Sequence, residues 1–429
     1  MDWSMKNRKK LLLGLIGICF CGILSSCGVR EIEKTKENKV IFIPVIFRVN
    51  PETGEKDNEA LVKSFNEIYK DKYYLDVEWV METEEEYRTN LKKLNVADKL
   101  PAIVFDVQIL PSFYKMMVED GRLMDLSSYI ESDEELKTAI EPQILESCKD
   151  SDGKIYFCPA GSATFSYTGI FWNKELFKKA GIEEFPKTWN EFWKVCDKLK
   201  ENNIIPLSLH TDGTGWSAML IATAEAASTK AGKKFMEDTL PTSYNNKTGL
   251  RMAKTLKRMF QYTTEDALHN DFDVAHENFN DGKTAMLANG YWQIEQLNEK
   301  IYDKVAFSFF PENETIFSVE QFSWSITNTY SDEVKQGAME FIKFRVLEQE
   351  KEREEFLKSM IDKEDVRGDY ARAVSNNPTL IPSYQTKWNS ILQEEVIGEA
   401  LPQLATGDIT PEQFVEREDE SVIRYNMEQ

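Results

Sequence analysis

The chain is 429 residues long, 41% apolar and 12% aromatic, enough to bury large cores; this excludes a disordered polymer and a small disulfide-stapled scaffold. Against 73 Asp and Glu it carries 52 Lys and Arg, and the net charge of −21 argues against nucleic acid as a partner. Its length suits two lobes or one large α/β unit.

Lys6, Arg8, Lys9 and Lys10 precede an apolar and small run from Leu11 to Leu24. That run is shorter than the roughly 20 residues that span a bilayer as a helix, so residues 1–26 read as a secretory signal peptide. The ending Leu24-Ser25-Ser26-Cys27-Gly28 resembles the lipobox of bacterial lipoproteins. That resemblance implies a lipidated Cys27 as the first mature residue and an extracytoplasmic protein tethered to the bacterial cell membrane. Residues 27–39, rich in Glu and Lys, then read as a flexible tether. Cys19 and Cys21 leave with the signal segment, so Cys148, Cys158 and Cys196 remain. An odd number does not make a disulfide framework, and Cys148 with Cys158 is open between a pair and two free thiols.

From Val40 the pattern is α/β. Val40–Val49 reads as a strand, Asn58–Tyr69 as a helix, Leu75–Met81 as a strand, Thr83–Asn95 as a charged helix and Ala102–Asp106 as a buried strand. That alternation predicts a parallel sheet covered on both faces. Ligands of such sheets sit beyond the carboxyl ends of strands, which makes Arg48, Asn50, Asp106 and Gln108 candidate lining residues.

Further on, Tyr167-Thr168-Gly169-Ile170-Phe171-Trp172-Asn173-Lys174 leads into a helix that stops at Gly181. Pro186-Lys187-Thr188-Trp189-Asn190-Glu191 then opens a second helix, with Thr188 as N-cap and Glu191 as its capping-box partner. A strand is predicted at Ile205–Leu209. The block Gly282-Lys283-Thr284-Ala285-Met286-Leu287-Ala288-Asn289-Gly290-Tyr291-Trp292 follows, then Phe307–Pro311 and Ala338–Phe344. Together these resemble family 1 extracellular solute-binding proteins of ABC sugar importers, the maltose-binding-protein-like group, from about Val40 to Phe344. The family's Pro-Asp-Val is here Pro101-Ala102-Ile103, and Trp172 replaces a Tyr.

The resemblance implies a periplasmic-binding-protein-like type II fold: two α/β lobes, a hinge and an interlobe ligand cleft. It places residues 40–163 plus 320–365 in the N-terminal lobe and 164–319 plus 366–429 in the C-terminal lobe, with crossings near Gly161–Thr168 and Glu314–Ser323. Saccharides have apolar faces and polar edges, so their sites combine aromatic rings with carboxylates and amides. Trp292, Trp216 and Trp324 are the candidate rings; Asp212, Asp106 and Glu320 are the acidic candidates. Ser166, Tyr167 and Tyr291 fall where the resemblance places cleft residues, beside Gln108 and Arg48. Trp79, Trp189, Trp193 and Trp388 read as packing. Beyond Phe344, Val346–Met360 reads as a charged helix and Thr379–Asn426 as helices broken at Pro402 and Pro411, with Leu380–Tyr384 packed on the second lobe.

Enzymatic readings lack support. The three histidines, His210, His269 and His276, match no metal motif, and no cofactor is expected. Gly282-Lys283-Thr284 lacks the first glycine of a P-loop, since position 277 is Glu, and no nucleophile elbow occurs. The expectation is a monomeric, non-enzymatic binding component that hands a mono- or oligosaccharide to an ABC permease; the alternatives are a solute receptor for a sensor system and a surface carbohydrate-active enzyme.

Overall fold

The structure is a computed structural model that describes residues 40–51, 53–105, 107–150, 152–159, 167–212, 215–237, 242–317, 323–382 and 392–428. Of the chain's two units, Met1–Lys39 and Val40–Gln429, the second contains the described residues. The expected signal peptide, Cys27 and the tether lie outside them, as do Asp106, Ser166, Glu320 and Trp388.

Two four-stranded sheets organise the chain. The first has the order β2-β1-β3-β9, from β1 (Ile41–Val49), β2 (Tyr73–Met81), β3 (Ile103–Phe105) and β9 (Trp324–Ile326). β1 runs parallel to β2 and β3, as the alternating pattern predicts, and β9 returns antiparallel along β3. The helices Glu59–Ile68 and Glu84–Val96 connect the parallel strands; the second opens on a capping box between Thr83 and Glu86. The second sheet has the order β5-β6-β4-β7, from β4 (Thr168–Asn173), β5 (Ile205–Leu207), β6 (Thr284–Gly290) and β7 (Val305–Ser308). β6 parallels β5 and opposes β4, so it is central, and all seven of its residues are buried.

The predicted capping box at Thr188 is present: its hydroxyl accepts from the Glu191 N–H, and the Glu191 carboxylate accepts from the Thr188 N–H. Trp189, Phe192, Trp193, Cys196 and Leu199 then fall on one helical stripe and are buried. That places Trp189 and Trp193 in a core, as the sequence suggests.

Two expectations change. Val346–Met360 is the second half of one continuous helix, Asp332–Met360. Thr379–Pro382 is a strand, β10, parallel to β8 (Glu314–Phe317). A four-residue apolar run does not distinguish strand from helix, and the partner that decides it lies 65 residues earlier in register, at Glu314 for Thr379. Pro402 and Pro411 stand in the first turns of the helices Leu401–Thr406 and Pro411–Glu428, where the missing N–H costs nothing.

Candidate functional site

β5 and β6 are parallel neighbours, so both direct their carboxyl ends to the same edge of the second sheet. Beyond β5 the chain passes through Ser208–Asp212 and enters the helix Trp216–Ala227, whose N-cap Gly215 takes a left-handed φ of 56°. β6 ends at Gly290; Tyr291 and Trp292 follow directly and lead into the helix Gln293–Gln296. Trp216 and Trp292 therefore stand at adjacent strand ends. Their ring centroids are 6.3 Å apart with planes inclined by 36°. Trp292 is 38% exposed and Trp216 is half-buried.

A buried hydrogen-bond chain underlies the pair. The Trp216 indole Nε1–H donates to Asn289 Oδ1 at 3.1 Å, and Asn289 Nδ2 donates to Gln293 Oε1 at 2.8 Å. Asn289 and Gln293 are both 0% exposed. Gln293 Nε2 and the hydroxyl of buried Ser217 have no partner among the described residues. At the same strand end, His210 Nδ1 lies 3.0 Å from the Asp212 carbonyl oxygen; because a carbonyl only accepts, the proton is on Nδ1 and Nε2 keeps a lone pair. Burial pushes the His210 pKa down, which favours the neutral ring. Asp212 itself is exposed, with its N–H bonded to the Asn270 carbonyl.

The other named candidates are placed elsewhere. Tyr291, although next to Trp292, packs its ring against Tyr370 at 4.9 Å and Phe356 at 5.4 Å. Tyr167 is 3% exposed, donates to Glu141 Oε1 at 3.2 Å and accepts at its carbonyl from the Tyr370 hydroxyl. Gln108 is also buried, giving a hydrogen bond to Ser325 Oγ at 2.9 Å and receiving one from Ser323 Oγ at 2.6 Å. Arg48 pairs with Asp57 at 2.9 Å, and Asn50 closes the turn that follows β1 by accepting from the Thr53 N–H. Trp324 is 3% exposed, with Phe341 at 5.2 Å and Phe47 at 5.5 Å, and the Arg345 guanidinium lies 4.3 Å over its ring. Arg48 and Trp324 do meet, with Arg345, Glu348 and Gln349, around a 420 Å³ cavity at the ends of the first sheet.

No group of three His, Cys, Asp or Glu side chains among the described residues is placed to hold a metal. Cys148, Cys158 and Cys196 are buried and form no disulfide with one another, and burial pushes the Cys158 pKa up to about 12. Among the described residues no helix is long and apolar enough to cross a membrane. Sequence reasoning named both tryptophans of the pair but gave no role to Asn289 or Gln293. The Asn-Gly step before Trp292 was their available signal.

The family model for bacterial extracellular solute-binding proteins matches residues 60–354. The chain belongs to that family. Among curated relatives, this solute-binding protein is 28% identical over 161 residues to a multiple sugar-binding protein of Streptococcus mutans, covering 34% of this chain and 36% of that one. It is 27% identical over 223 residues to an ABC transporter extracellular-binding protein of Pyrococcus horikoshii, covering 50% of each. The chain thus spans half or less of the length of these two relatives. Of solved structures, it resembles a chitin oligosaccharide binding protein at 20% identity and TM-score 0.63, covering 90% of this chain and 99% of that one. A Streptococcus pneumoniae solute-binding protein in complex with the blood group A-trisaccharide gives 17% identity and TM-score 0.63, covering 88% and 98%. These structures establish the periplasmic-binding-protein-like fold expected from the sequence.

Proposed function

We propose that this solute-binding protein is the extracytoplasmic binding component of an ABC importer and that it captures a mono- or oligosaccharide. The observation that carries the reading is the Trp216–Trp292 pair at the carboxyl ends of β5 and β6. Two indoles beyond strand ends supply apolar faces for the C–H side of a pyranose, while polar groups nearby take its hydroxyls. The sugar-binding names of one relative and of several structural neighbours favour the same solute class.

Capture is binding followed by closure of two lobes about a hinge, and selectivity is the difference in cleft affinity among solutes. The lobes divide as 40–163 plus 320–365 and 164–319 plus 366–429, and a permease receives the solute from a monomer without covalent chemistry. Residues 1–26 direct export, and a lipidated Cys27 holds the protein at the membrane.

Intrinsic tryptophan fluorescence, titrated with mono-, di- and trisaccharides and followed by chromatography of the sugar, tests the proposal. Saturable quenching with the sugar recovered intact is expected. No response to any saccharide, or turnover of one, contradicts it. Cys27→Ser is expected to release the protein from the membrane fraction, and retention there would sink the anchoring assignment.

A further inference from the structure

We propose that Asn289 and Gly290 are positioning residues for the tryptophan pair: Asn289 fixes Trp216, and Gly290 makes room for Trp292. This rests on the saccharide reading and says how the two rings hold their geometry.

The orientation of Asn289 follows from donor and acceptor chemistry. An indole Nε1–H only donates, so the Asn289 atom 3.1 Å away must be the amide oxygen. That turns Nδ2 toward Gln293, whose oxygen accepts at 2.8 Å. Turning the Trp216 ring over would leave a buried acceptor unmatched, so one ring orientation is preferred. Since Asn289 is 0% exposed, it acts through Trp216 rather than by touching solute. With its N–H directed inward, Trp216 offers the solute a ring face and no donor.

Gly290 has a different reason. It is not among the glycines of positive φ, so the backbone does not require it. A Cβ there would collide with three atoms of the six-membered ring of Trp292. The absent side chain is what lets that ring fold against the end of β6. Two consecutive residues thus set both rings before solute arrives, which lowers the ordering cost of binding.

Solvent exchange of indole N–H groups, read by ¹H–¹⁵N spectra of the ligand-free protein with Trp216→Phe for assignment, tests the first half. The Trp216 N–H is expected to be protected; Asn289→Ala speeds its exchange about tenfold, whereas Asn289→Asp keeps the acceptor and the protection. Rapid exchange in the unsubstituted protein, or unchanged exchange in Asn289→Ala, overturns it. For the second half, Gly290→Ala is expected to weaken the best saccharide of the panel about tenfold, with no further weakening on a Trp292→Ala background. Equal weakening on both backgrounds overturns it. If no saccharide binds, the saccharide reading and the Gly290 assignment fall together, while the exchange data still decide whether Asn289 fixes Trp216.

Discussion

Two tryptophans, one at each four-stranded sheet, are packed in opposite ways. Trp324 lies within β9 of the first sheet, 3% exposed, with Phe47, Phe105 and Phe341 around it and Arg345 over its ring. Trp292 lies just past β6 of the second sheet, 38% exposed, with Trp216 beside it. Trp324, the first residue of β9, is closed over by its aromatic neighbours and Arg345, whereas Trp292, in the turn beyond β6, keeps exposed surface. Both stand at strand ends, and what separates them is how far their neighbours close over the ring.

The contrast can be broken most forcefully at Trp324. Trp324→Ala is expected to cost about 3–5 kcal/mol in denaturant unfolding, while the folded fraction keeps its saccharide affinity. A stable variant that has lost binding would make Trp324 a solute contact and erase the distinction.

In sequence, β8 leads from the second sheet toward β9, and it starts at Glu314, which is 2% exposed. One carboxylate oxygen is 3.7 Å from Lys233 Nζ; the other has no partner among the described residues. Burial raises its pKa from 4.5 to about 7; Lys233 and Arg251 oppose the rise and Glu312 adds to it. The folded state therefore binds this proton more tightly than the unfolded chain does. This contribution is favourable at low pH and is lost as pH climbs from about 4.5 through about 7. Glu314→Gln is expected to flatten that dependence and to raise stability at pH 8 by about 3 kcal/mol. Superimposable stability–pH curves for the two proteins would mean that folding leaves the Glu314 pKa unshifted.

The smallest effect belongs to the helix behind the second sheet. Thr188→Ala removes the cap and is expected to cost about 1 kcal/mol, with affinity unchanged. A change in affinity would show that this helix helps set the tryptophan pair.

Features with local causes were legible in the sequence. The cap at Thr188 needs only Glu191 three residues on, and the parallel order of β1, β2 and β3 follows from alternating elements. Glycines and strand ends mark the turns that carry Trp216 and Trp292. Tyr167 and Gln108 show what was hidden. Glu141 consumes the Tyr167 hydroxyl, and Ser325 and Ser323, more than 200 residues away, consume the Gln108 amide. Polar residues near strand ends look available until tertiary partners are known. The Asn-Gly step marks Asn289 as a turn residue, but its acceptor role exists only once Trp216 is folded beside it.

The pair at the second sheet is proposed to bind the solute while buried tryptophans build the core. Isothermal titration of the best saccharide against Trp292→Ala and Trp189→Ala measures it directly. Trp292→Ala is expected to weaken binding by about tenfold or more at unchanged unfolding temperature. Trp189→Ala, at a site 6% exposed, is expected to lower that temperature and leave affinity in place. Equal losses of affinity in the two variants would contradict it.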